Sequence, residues 1–231
     1  MGVVAEKVRN VQYSQNILKT RTGRVKEAPA ARKPHPPPKF DLERAVAIIE
    51  GKLKNTSETT AYPVLVMLSG LPGTGKSYLA RKLCEQEPFV VIESDFVRKT
   101  LFNPPTYSAR ESALVHKVCH TLIDRLLKRG LRVIFDATNL VEFQREYVYR
   151  LADRNGAKLV IVQTVAPEEV VRERLDKRTK ARDVHDISDA DWSVYARMKR
   201  RQQPIGRPHL VVDTSKDVDE AVRKIMRVIQ K

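Results

Sequence analysis

Val64-Leu65-Val66-Met67-Leu68-Ser69-Gly70-Leu71-Pro72-Gly73-Thr74-Gly75-Lys76-Ser77-Tyr78 decides the fold. Its first five residues form an unbroken apolar run, the length of a strand buried on both faces. Gly70 to Ser77 satisfy G-x-x-x-x-G-K-[ST], and a helical pattern follows. Glycines at Gly70, Gly73 and Gly75 let the backbone wrap with its N–H groups pointing inward at phosphate oxygens. The helix after the loop turns its positive end to the same anion. Lys76 is placed to reach the β- and γ-phosphates of a nucleotide, and the Ser77 hydroxyl to bind Mg²⁺. The competing reading is a chance match, which the strand before and the helix after weigh against.

Outward from this loop, short apolar segments alternate with helical periods. Further strands are expected at Phe89–Ile92, Val133–Phe135, Leu159–Val162 and Leu210–Val212. The clearest helix joins Leu114, Val115, Val118, Cys119, Leu122, Ile123, Leu126 and Leu127. It opens with Ser108 and Glu111 in capping-box spacing and stops at Gly130. Asp41 is expected to cap an earlier helix. Such alternation means an α/β fold, a parallel sheet with helices on both faces.

The chain of 231 residues has room for one such domain and an appendage. No apolar run approaches the roughly 20 residues of a membrane span. Cys84 and Cys119 make no metal-type or redox-type pair and read as buried free thiols, which suits a cytoplasmic protein. Lys and Arg outnumber Asp and Glu by 43 to 28, a net charge of +15. That balance attracts polyanions, although solubility alone could select it. Residues 1–40 carry basic groups from Lys7 to Lys39, few large apolar side chains, and a stiff Pro34-His35-Pro36-Pro37-Pro38 connector. They are either a solvated, disordered tail or a basic arm that tracks a polyanion. Residues 41–231 form the expected domain.

Three absences separate the classes of nucleotide-binding loop. The chain has no room for a helical second domain, no Glu follows Asp136, and no N-K-x-D motif occurs. A kinase remains. Glu93-Ser94-Asp95-Phe96-Val97-Arg98 ends the second strand, and groups beyond the strand ends of an open α/β sheet converge on one crevice. Asp95 can therefore accept the proton of an attacking hydroxyl, or else only cap its helix. Arg98, on the same face, can bind an anionic group of the acceptor. Asp136-Ala137-Thr138-Asn139 ends the third strand. Asp136 would hold an Mg²⁺-bound water, and Thr138 and Asn139 are assigned to the acceptor, unless the segment is a structural turn. Arg174 and Arg178 share a helical face and can supply charge to a migrating phosphoryl group, or form a solvated basic helix. Residues 179–190 read as a hinged lid.

Taken together, the motifs G-L-P-G-T-G-K-S, S-D-F-V-R, D-A-T-N-L and R-L-D-K-R followed by S-D-A resemble the polynucleotide-kinase-like branch of the small P-loop kinases. The similarity covers residues 63–215. Zeta-toxin, antibiotic and seryl-tRNA kinases lie in the same branch. The resemblance implies a P-loop NTPase three-layer sandwich with five parallel strands in the order 2-3-1-4-5 and a small helical lid. It implies ATP and Mg²⁺ as cofactors, with Gly70 to Tyr78, Arg174 and Arg178 on the donor. It implies Asp95 as general base, Arg98 on an acceptor phosphate and Arg178 on the donor phosphates. Adenine would lie near the lid base and the loop after Val212. Asn103-Pro104-Pro105-Thr106-Tyr107 and the basic tail lie outside the pattern. A single-stranded nucleic acid or RNA is the expected partner, with a small-molecule acceptor or a non-catalytic nucleotide-dependent module as alternatives.

Overall fold

The computed structural model describes residues 40–53, 58–181 and 190–230. Five strands, β1 (Val64–Ser69), β2 (Val90–Glu93), β3 (Arg132–Asp136), β4 (Lys158–Val165) and β5 (Leu210–Asp213), form one sheet. Their order is β2-β3-β1-β4-β5, and every neighbouring pair is parallel. The expected strand order and α/β class are both present. Eight helices accompany the described strands: α1 (Leu42–Glu50), α2 (Lys76–Cys84), α3 (Ser94–Leu101), α4 (Ala109–Lys128), α5 (Glu142–Arg154), α6 (Glu168–Ala181), α7 (Trp192–Lys199) and α8 (Asp219–Gln230).

β1 is central, and all six of its residues are buried. Its side chains alternate between the faces, as a pleated strand requires. Leu65 and Met67 enter the core shared with α1, α4 and α5, whereas Val64, Val66 and Leu68 enter the one shared with α2 and α8. Two apolar layers therefore enclose the sheet. Each fully buried aliphatic side chain contributes about 1.5–3 kcal/mol.

Local signals place the helix ends. Asp41 caps α1 by accepting from the Arg44 N–H at 3.0 Å. Ser108 caps α4 by accepting from the Glu111 N–H at 3.2 Å. Glu111 does not complete the expected box. Its carboxylate turns instead to Thr106, Tyr107 and Arg98. Cys119 is buried, and burial pushes its thiol up to about 12. Cys84, at the end of α2, is only half-buried. No helix among the described residues is long and apolar enough to cross a membrane. Of the expected basic tail only Phe40 is described, and lid residues 182–189 lie outside the described residues.

Candidate active site

β1 ends at Ser69, and the chain leaves the sheet through the glycine loop. The Gly70 N–H donates to the Thr138 carbonyl at 3.0 Å, and the Ser69 hydroxyl to the Asn139 carbonyl at 3.1 Å. The loop root is thus fastened to the segment after β3. Gly73 and Gly75 both adopt positive φ, +78° and +81°. A Cβ at Gly73 would lie 2.9 Å from Val171 of α6, and one at Gly75 would lie 2.9 Å from the Thr214 hydroxyl. Glycine is therefore required twice at each position, by backbone conformation and by space. Leu71 and Thr74 point away from the cleft. Leu71 packs with Val171 and Leu175, and the Thr74 hydroxyl lies 2.7 Å from that of Thr164 on β4.

On the open side, Pro72, Gly73, Gly75, Lys76, Ser77 and Tyr78 line a cleft of about 2500 Å³. Asp95, Arg98, Asp136, Thr138, Arg174 and Arg178 line the same cleft. The four motifs therefore converge at the carboxyl ends of the strands. Lys76 donates to the Leu71 carbonyl at 3.0 Å, lying back across the loop. Ser77 donates to an Asp136 carboxylate oxygen at 2.5 Å. Burial pushes Asp136 above the ordinary carboxylate range, and the Lys76 charge and Ser77 hydroxyl pull in the other direction.

One hydroxyl and one carboxylate in contact are the hard oxygen donors that Mg²⁺ accepts alongside waters and substrate phosphates. The described residues contain no group of three or more His, Cys, Asp or Glu able to hold a metal by themselves. The residues fit an ion shared with a nucleotide.

Asp95 sits in the first turn of α3, whose cap residue is Glu93. It is half-buried and makes no hydrogen bond or ion pair with another described residue. The helix-capping alternative is set aside, because no backbone N–H is bound to its carboxylate. Arg98 is differently placed. Its guanidinium donates to Glu111 at 2.5 Å and to the Ser112 hydroxyl at 3.3 Å, and lies 4.8 Å from the Tyr107 ring. Burial pushes the Glu111 carboxyl up. Hydrogen bonds from Thr106, Arg98 and the Tyr107 N–H outweigh that and hold it at about 2. A ligand phosphate at Arg98 would have to compete with a buried carboxylate.

Asn139 departs from its assignment to the acceptor. Its φ is +45°, its side chain is buried, and its amide donates to the Leu68 carbonyl at 2.7 Å. It braces β1 from beneath, whereas Thr138 lines the cleft. Arg174 is no solvated cation. It donates to the Thr214 hydroxyl at 2.9 Å, the Thr214 carbonyl at 2.8 Å and the Gly73 carbonyl at 3.3 Å. It ties α6 to the glycine loop and to the turn after β5.

Several contributors carry no signal in the sequence. Thr164 and Thr214 brace the loop from behind. Fully buried Arg145 bonds the carbonyls of Asn139 at 2.9 Å and Pro204 at 2.5 Å, fixing α5 to the segment before β5. No short motif encodes such pairings; they depend on residues brought together from separate elements.

Solved structures share this architecture. APS kinase CysC of Mycobacterium tuberculosis, in complex with AMPPNP and APS, superposes with a TM-score of 0.57 at 19% identity, covering 74% of this chain and 100% of that one. Kti12 of Chaetomium thermophilum, in complex with ADP-AlF3, gives 0.59 at 18% identity, covering 72% and 97%. A gluconokinase from Sinorhizobium meliloti 1021 gives 0.53 at 18% identity, covering 74% and 94%. The fold is that of these P-loop proteins. Residues 65–205, which contain the loop, Asp95, Asp136, Arg174 and Arg178, match the AAA domain family, and the chain belongs to that family.

Proposed function

We propose that the chain is an ATP-dependent phosphotransferase that moves the γ-phosphate to a hydroxyl, with a nucleic-acid 5′-hydroxyl as its acceptor. One observation carries the reading. Asp95, engaged by no described residue, lines the same cleft as Lys76 and the Ser77–Asp136 pair. The glycine loop and the start of α2 hold the donor phosphates. Asp95 takes the proton from the acceptor hydroxyl as its oxygen bonds to the γ-phosphorus. The bond from that phosphorus to the β,γ-bridging oxygen breaks, and ADP leaves. Lys76 and Arg178 offset charge on the phosphoryl oxygens during transfer. Mg²⁺, when held by Ser77 and a water on Asp136, would neutralise phosphate charge. The net charge of +15 favours a polyanionic acceptor over a neutral metabolite.

A second reading, a small-molecule kinase, draws on the Arg98–Glu111 pair. An arginine already neutralised by a buried carboxylate suits an acceptor with no phosphate beside its hydroxyl. Labelled ATP offered with 5′-hydroxyl RNA, 5′-hydroxyl DNA and a panel of hydroxylated metabolites separates the two. Label on an oligonucleotide supports the first reading, and label only on a metabolite supports the second. ATP binding with no transfer to any acceptor would leave a nucleotide-dependent binding module.

A further inference from the structure

The cleft is larger than a nucleotide requires. Its volume of about 2500 Å³ exceeds the roughly 300–1000 Å³ of ordinary small-molecule sites. The surplus runs away from the glycine loop, between α4 and α5. His116 and His120 line it from α4, and Phe143 and Tyr147 from α5.

These rings are arranged face to edge and face to face. His120 stacks on Tyr147 with centroids 5.6 Å apart and an interplanar angle of 17°. Tyr147 meets Phe143 edge-on at 5.2 Å. His116 lies one turn before His120, at 5.9 Å. Burial pushes both imidazoles below their ordinary values, which favours the neutral rings. An aromatic stripe at helical spacing is ordinarily core, but this one is open. Phe143 is 70% exposed and Tyr147 43%. Among the described residues seven large apolar or aromatic side chains are exposed, and four of them line this single cleft: Tyr78, Tyr107, Phe143 and Tyr147.

Cations accompany the rings. Arg150 lies 4.7 Å over the Tyr147 ring, and Lys117 lines the cleft one residue from His116. Asp124, at the far end, is already paired with Lys128 and Arg154. Flat faces interleaved with positive charge are what an unpaired nucleotide strand uses: bases stack on the rings and phosphates follow the cations. An apolar peptide would not call for the cations, and a duplex could not present its bases.

We propose that the α4–α5 groove is a stacking track for single-stranded nucleic acid, with exposed Phe143 as the base platform, Tyr147 holding it edge-on, and Arg150 and Lys117 beside the backbone. The groove belongs to the same continuous cleft as Asp95. Its role as an acceptor track rests on the phosphotransferase reading. Its binding of single strands does not.

The test uses the full chain and a 5′-hydroxyl 12-nucleotide RNA of mixed sequence. Fluorescence anisotropy gives its dissociation constant for wild type, Phe143→Ala, Tyr147→Ala, the double variant, and Tyr147→Phe. Removing either ring should weaken binding by about 5- to 150-fold, and Tyr147→Phe should retain most of it. Tyr62→Ala, an exposed aromatic outside the cleft, should bind like wild type. Thermal melting shows whether each variant is folded. The same RNA carrying 5-iodouridine should crosslink, on irradiation, to the peptide spanning Phe143 and Tyr147. That readout does not depend on variants and is blind to binding by residues 1–40. Unchanged binding in a folded double variant, crosslinks elsewhere, or no binding by wild type would overturn the track. If wild type binds and crosslinks there but transfers no label to RNA, the track stands and the polynucleotide acceptor falls. If label is transferred and the double variant binds normally, the reverse holds.

Discussion

Arg98 and Glu111 meet at 2.5 Å with both side chains almost sealed from solvent, joining α3 to the first turn of α4. Removing one partner leaves an uncompensated buried charge. Arg98→Met should therefore destabilise by about 3–5 kcal/mol. Arg98→Met combined with Glu111→Gln should recover part of that loss, which denaturant titrations of wild type, the two single variants and the double variant would measure. The pair also sets an acid limit. Glu111 is held at about 2 in the folded chain, below its ordinary value of about 4.3. Between those values the unfolded chain binds the extra proton. The stabilisation is therefore present above pH ~4.3 and is lost as pH falls towards 2. Glu111→Gln should flatten the melting-temperature profile over that interval.

On the phosphotransferase reading, Lys76→Ala removes the charge assigned to the phosphates and leaves the apolar core as it is. Transfer should cease while the melting temperature stays within a few degrees of wild type. Ser77→Ala should also lower the rate and raise the Mg²⁺ concentration needed for half-maximal activity. Full activity of Lys76→Ala in a labelled-ATP assay would remove the glycine loop from the mechanism.

Asp95→Asn keeps the shape and removes the proposed proton acceptor. The chemical step should fall by about 10²–10⁴-fold, as for other positioned bases. ATP affinity, measured by calorimetry, should barely move. An equal loss of affinity would instead give Asp95 a role in holding the donor.

Arg174 and Arg178 should separate in kinetics. Arg174→Ala breaks the links to Gly73 and Thr214, so ATP affinity should weaken and the protein should melt earlier. Arg178→Ala should reduce kcat more than ATP affinity if, as proposed, its charge acts on the phosphoryl group in flight. Equal changes in both parameters for both variants would show one shared role.

Deleting residues 1–40 tests the arm separately from the groove. If those residues neutralise phosphates, the log–log salt dependence of oligonucleotide binding should become shallower by about 0.7 for each phosphate that the arm had neutralised. The KM for ATP should not change. Coincident slopes for the full and shortened chains would make the arm a bystander.

The strands are legible in the sequence because each is an apolar run too short for a helix, bracketed by glycine, proline or polar residues. The glycine loop is legible because its spacing is local. Asp95 and Asp136 follow from standing at strand ends, where topology alone gathers side chains. Asn139 stands at such an end too, yet it does not face the cleft. A positive φ turns its amide under β1, and no residue type announces that rotation. Glu111 has the spacing of a capping partner because Ser108 lies three residues earlier. Buried Arg98 and the Thr106 and Tyr107 N–H groups outbid the cap, and they come together only when α3 docks on α4. The α4 rings are hidden in the same way. His116 and His120 belong to no sequence motif, and the ring cluster exists only once α5 lays Tyr147 against His120.

Thr214 accepts from Arg174, donates to the Thr74 carbonyl at 2.9 Å and occupies the space a Gly75 side chain would need. The glycine loop is therefore moulded from outside, by a residue just past the last strand. Its shape is set when the sheet closes and not when the nucleotide arrives. The ordering entropy of the loop then belongs to folding, and nucleotide association proceeds without it. Loss of β5 would take that backing away even with every motif residue intact, because the loop's shape is a property of the finished sheet.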